Sequence, residues 1–113
     1  MNVTTVFGFA DGDLGNARLA VEQMLGVRLE AHDSLYIGPY YRGSLGSGQS
    51  LQLRQNANPL FDEQSDPPDE RFTEPHFPEA RLLLYLHGVD SERALRLLAH
   101  AAGISFLAER RIA

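Results

Sequence analysis

Arg81-Leu82-Leu83-Leu84-Tyr85-Leu86-His87 is a near-continuous apolar run bounded by Pro78 and Gly88. It is too short for an independent helix and does not alternate as a half-exposed strand would. A run of this kind suits a central strand covered on both faces. The chain on either side supplies elements to cover it. Downstream, Asp90 or Ser91 can cap a helix over about 91–102, and Gly103 can end it. Ala94, Leu95, Leu97, Leu98 and Ala101 form its expected buried face, and Ile104, Phe106 and Ala108 begin a last strand. Upstream, Val3, Val6, Phe7 and Phe9 make a β-branched and aromatic first strand. Asp13 is the expected N-cap of a helix over about 14–25. Leu14, Ala17, Val21, Met24 and Leu25 share one face of that helix, and Gly26 stands at its end.

Between these halves, Val27-Arg28-Leu29-Glu30 alternates and reads as a short strand, which His32-Asp33-Ser34 interrupts. Residues 39–56 read as a β-hairpin turning at Gly46-Ser47-Gly48. The resulting order is β-α-β-β-β-loop-β-α-β. It predicts an α+β domain with two helices on one face of a mostly antiparallel sheet, in a ferredoxin-like or split β-α-β arrangement. One hundred and thirteen residues suit a single domain, 1–113, with an irregular loop over about 58–79.

Charge is concentrated in that loop. From Phe61 to Glu79 there are seven acids and one base, Arg71, so the stretch carries −6 of a total of −5 and the remaining residues sum to +1. Pro67, Pro68, Pro75 and Pro78 exclude a helix or central strand through most of it. A merely solubilising linker would avoid Phe61, Phe72 and Phe77. The combination predicts a surface that meets a basic partner. The electrostatic work falls to Asp62, Glu63, Asp66, Asp69 and Glu70, with Phe61, Phe72, Tyr40 and Tyr41 as anchors.

Other chemistry finds little support. The absence of cysteine excludes disulfides, thiolate metal sites and cysteine nucleophiles. Asp11 and Asp13 lack the further oxygen ligands of a calcium loop. His32, His76, His87 and His100 show no helical i, i+4 pair, so neither a metal nor a catalytic site is expected. Gly43-Ser44-Leu45-Gly46-Ser47-Gly48 lacks the Lys-Ser/Thr ending of a phosphate loop and leads into a strand. None of Ser34, Ser44, Ser47 and Ser50 lies in a nucleophile elbow. The reading is therefore of a protein that is not an enzyme and needs no cofactor. The N-terminus lacks the basic and apolar regions of a signal peptide, and no run is long enough to cross a membrane. A cytoplasmic location is expected. No basic stripe is visible for nucleic acid or anionic lipid. Self-association is expected to go no further than a weak dimer.

Leu25-Gly26-Val27-Arg28-Leu29-Glu30, Asp33-Ser34, Tyr40-Tyr41-Arg42 and Pro75-His76-Phe77-Pro78 before Leu82-Leu83-Leu84-Tyr85 carry a resemblance in outline over about 14–113. In this order they resemble small bacterial immunity proteins of contact-dependent growth inhibition and other polymorphic toxin systems. The resemblance implies a cytoplasmic protein that binds one cognate toxin domain, often a nuclease, and blocks its active site. It assigns no functional residue. The alternative is a ferredoxin-like domain that binds a small ligand or regulates an enzyme, with the acidic loop as a lid.

Overall fold

The computed structural model describes residues 2–46, 48–98 and 103–111. The elements are β1 (Val3–Phe9), α1 (Leu14–Leu25), β2 (Glu30–Ser34), β3 (Gly38–Gly46), β4 (Gln49–Gln55), β5 (Leu82–His87), α2 (Ser91–Leu98) and β6 (Ile104–Arg111), with a short 3₁₀ turn over Pro68–Arg71 before β5. Six strands form one sheet in the order β2-β3-β4-β5-β1-β6. Every ladder is antiparallel. The fold is α+β. β5 passes through α2 to β6 with β1 lying between, which is a split β-α-β unit. The α1 crossover instead leads to the far edge, where the β2–β3 hairpin widens the sheet.

The helix ends follow local chemistry. Asp13 Oδ1 accepts the Asn16 amide, and Gly26 ends α1 in the left-handed region at φ 66°. At α2, Asp90 accepts the Arg93 amide at 2.9 Å, and Glu109 of β6 accepts the Ser91 amide at 2.9 Å. Both helices lie on one face of the sheet. Ala17 and Val21 of α1 and Ala94 and Leu98 of α2 share a core with Phe7, Phe9, Leu51, Leu53, Leu82, Leu84 and Leu86.

β5 is buried on both faces because two different things cover it. Leu82, Leu84 and Leu86 lie under the helices. Leu83 points the other way, into a smaller core with Val6, Ala80, Phe77 and Leu107. The second layer is therefore the end of the acidic segment, folded back over β1, β5 and β6. Gly8 marks how close it comes. A Cβ there would stand 2.9 Å from Ala80 Cβ and 2.9 Å from Leu107 Cδ1. Gly8→Ala is expected to lower the stability by about 1–3 kcal/mol through overpacking, read from a urea midpoint.

Two expectations need correction. His32-Asp33-Ser34 does not interrupt a strand: β2 runs over Glu30–Ser34, while Val27 and Leu29 do point inward ahead of it. β2 is an edge strand whose first four residues are exposed, so no apolar alternation marks it. Leu95 and Leu97 are exposed rather than buried, at 45% and 38%. The α2 contact with the sheet is narrow, and Ala94 and Leu98 fill it. Ser47, His100 and Ala101 lie outside the described residues. Among the described residues, no helix is long and apolar enough to cross a membrane.

Candidate functional site

The acidic segment has two parts with different physics. Its second part, Arg71 to Ala80, belongs to the body. Asn56, just before the segment, is 1% exposed and organises it. The Asn56 carboxamide donates to Phe77 O at 2.9 Å and Ala80 O at 2.8 Å, and accepts the Glu74 amide at 2.9 Å. Glu74 is buried. Its carboxylate accepts the Tyr85 hydroxyl at 2.6 Å and both terminal nitrogens of Arg110. These Arg110 hydrogen bonds hold the Glu74 carboxyl below the usual carboxylate range, against the opposing effect of burial, with Tyr85 assisting. Burial first, and then the hydrogen bond to Glu74 and its charge, push the Tyr85 hydroxyl above the ordinary tyrosine value. Arg54 donates to Thr73 Oγ1 at 3.0 Å and completes the clamp.

The first part, Leu60 to Glu70, is a self-supporting turn at one end of the sheet. Ala57 bridges to Phe72, and Asn58 donates to Glu70 O at 2.9 Å, which closes its base. Asp62 and Asp66 are spent on building it. Asp66 Oδ2 accepts the Asp62 amide and Asp62 Oδ1 accepts the Gln64 amide, each at 2.9 Å. The Gln64 amide and the Ser65 hydroxyl hold the Asp62 carboxyl below its usual range. Glu63, Asp69 and Glu70 are exposed, and among the described residues none forms an ion pair. Arg71, the one base in the segment, lies over the Phe61 ring with its guanidinium 5.5 Å from the centroid.

Sequence reasoning weighed Tyr36 with Tyr40, Tyr41 and Arg42 as interface-type residues and missed Leu35 and Leu60 at this end. Leu35 and Tyr36, in the turn between β2 and β3, are 77% and 71% exposed, and Leu60 is 49% exposed. They belong to the same end of the molecule. Pro59 packs 3.9 Å from where a Gly38 Cβ would stand, so the root of the β2–β3 turn abuts the start of the acidic turn. A leucine-tyrosine pair in a turn is the available signal, since turns favour Gly, Asn, Asp, Pro and Ser.

No protein-family model matches the chain, and no curated protein does either. Its function is therefore argued from the site.

The anchors named from sequence are dispersed. Phe61 and the five acids Asp62, Glu63, Asp66, Asp69 and Glu70 share the turn. Phe72 is half-buried at its base. Tyr41 faces the helices, packed on the core beneath the Arg18 guanidinium. Tyr40 points to the opposite face and stacks on His32, with ring centroids 5.3 Å apart. Among the described residues, no group of three or more metal-ligating side chains gathers. A cleft of about 270 Å³ between α1 and the start of β6 is bordered by Asp11 and Asp13. Both carboxylates serve the α1 cap, Asp11 by accepting the Asp13 amide.

Proposed function

We propose that this chain is a binding protein that docks a cationic surface of another protein through the acidic end of its sheet. In the form that its sequence resemblance implies, it is the immunity partner of a toxin domain. One observation carries the reading: Glu63, Asp69 and Glu70, which form no ion pair among the described residues, share a turn with the exposed Leu60, and the start of that turn abuts the hairpin that exposes Leu35 and Tyr36. Stable interfaces have an apolar or aromatic centre within a polar rim, and this end of the molecule has that anatomy. The rim is net negative, with Arg71 its one base, so it steers a basic partner and repels an acidic one. A nuclease groove, built to meet phosphate, has the complementary charge. The turn is held by its own hydrogen bonds, so little ordering cost falls on binding.

The test is a titration against a basic toxin domain, sought in the reading frames beside this chain's own, at low and moderate salt. Glu63→Gln, Asp69→Asn and Glu70→Gln together are expected to weaken binding tenfold to a hundredfold and to flatten its salt dependence. Tyr36→Ala is expected to cost about 2 kcal/mol, roughly thirtyfold, at any salt concentration. Unchanged affinity in both variants removes the acidic end as the contact. A partner that binds there but harms no cell removes the toxin class and leaves the docking surface standing.

A further inference from the structure

The outer face of the sheet has two halves. Residues 73–80 cover the half over β1, β5 and β6. Among the described residues no such layer covers the half over β2, β3 and the part of β4 beyond Arg54, which bonds Thr73, and the side chains there have a different chemistry. Tyr40 and Arg42 are two apart on β3, so they share this face. The register sets Arg42 beside Gln52, and Ser50 beside His87. Arg42 forms no ion pair among the described residues. Glu30 is its cross-strand neighbour, yet the Glu30 carboxylate lies 3.8 Å from His32 Nε2 instead.

Two clefts meet at Arg42. One, of about 210 Å³, is lined by Tyr40, Ser50, Gln52 and His87; the other, of about 400 Å³, by Arg28, His32 and Ser44. Arg28 and Arg42 are the two arginines of these clefts, against one carboxylate, Glu30. Ring pairs stand on either side. His32 and Tyr40 are near-parallel at 19°, and Tyr85 and His87 are parallel at 5° with centroids 6.2 Å apart. Burial, and then the Arg42 charge, lowers the His87 pKa, which leaves an uncharged ring at neutral pH.

We infer that this open half is a second binding surface, for a nucleotide, with the base on the Tyr40–His32 platform and the phosphate on Arg42. A guanidinium alone would suit any anion. The flanking rings add a preference for a planar group beside the charge, because bases stack on exposed aromatic rings and guanidinium forks grip phosphate oxygens. Two residues along a strand span about 6.4–6.8 Å, comparable with the reach from a base to its own phosphate. Gln52 and Ser50 offer polar atoms for the base edge or the sugar. The overall charge of −5 opposes a long polyanion, which favours a free nucleotide over a strand. The surface lies apart from the acidic turn and does not depend on that turn's function.

Calorimetric titration of the full chain at 50 mM salt with AMP, adenosine, inorganic phosphate and a single-stranded hexanucleotide tests the inference. AMP is expected to bind at least tenfold more tightly than adenosine or phosphate. Arg42→Gln and Tyr40→Leu should each weaken AMP tenfold or more, while Glu92→Gln on α2 leaves it unchanged. Arg42 is exposed, so its replacement keeps the fold, and a thermal melt checks both variants. Hexanucleotide binding tighter than AMP and equally sensitive to Arg42→Gln supports the same site with a strand as its source. No AMP binding at millimolar concentration, phosphate equal to AMP, or indifference to Arg42→Gln overturns the inference.

Discussion

An Asn56→Ala chain is expected to lose about 3–5 kcal/mol of stability, a large fraction of what a domain of this size possesses. Little of this is packing. The carboxamide satisfies two buried backbone groups, the Ala80 carbonyl and the Glu74 amide, and the part-buried Phe77 carbonyl. The Asn56 main chain adds two more bonds, donating to Arg81 O at 2.9 Å and accepting the Thr73 amide at 2.7 Å. Truncation leaves the Ala80 carbonyl and the Glu74 amide without partners, at about 1–3 kcal/mol each before relaxation, and takes one of two donors from the Phe77 carbonyl, which keeps the Ala80 amide at 3.2 Å. Asn56→Asp should do no better, because it sets a carboxylate against two carbonyl oxygens. Chemical denaturation monitored by circular dichroism reads the effect. A loss below about 1 kcal/mol would mean that water or a rearranged loop satisfies these groups. The structural consequence reaches β1, because Ala80 and Phe77 cover Val6 and Leu83.

Glu74→Gln is the second large effect, and it depends on pH. The Glu74 carboxyl is held below its ordinary value, chiefly by Arg110. Depression of a folded-state carboxyl means that the charged form stabilises the fold above the ordinary value of about 4.3 and ceases to do so as pH falls through the depressed one. Near neutrality, Glu74→Gln should cost about 2–3 kcal/mol, at or below the range for a broken buried pair because Arg110 is half-exposed. As pH falls below the ordinary carboxyl value, the gap between wild type and variant should narrow. Unfolding free energies measured from pH 7 to pH 3 check this. A constant difference across that range would show that the carboxylate charge is not what holds the segment.

The sequence reading located the elements whose ends carry their own chemistry. Asp13 and Gly26 bracket α1 as expected, and the Leu82–His87 run forms the doubly covered β5. It could not say what covered the outer face. The cover comes from a proline-rich acidic stretch that looks like a connection, and Asn56, the residue that fixes it, sits in the unremarkable run Asn56-Ala57-Asn58-Pro59. Long-range partners such as Glu74 and Arg110, thirty-six residues apart, leave no local pattern. β2 was hidden for the opposite reason: an exposed edge strand has no face to bury and so no period to read.

The candidate site was legible as charge and not as shape. The carboxylates of the turn were all visible in the sequence. Their division into turn-building Asp62 and Asp66 and unengaged Glu63, Asp69 and Glu70 is set by hydrogen bonds within the turn. The apolar tip at Leu35 and Tyr36 comes from a different part of the chain, brought alongside by the β2–β3 hairpin.

Amide hydrogen exchange on the chain alone and bound to its partner, mapped by peptide, reads the docking surface without any substitution. The account predicts new protection confined to residues 34–38 and 60–71, with α1 and α2 unchanged. Protection over the helices, with both of those segments exchanging as in the free chain, would contradict it.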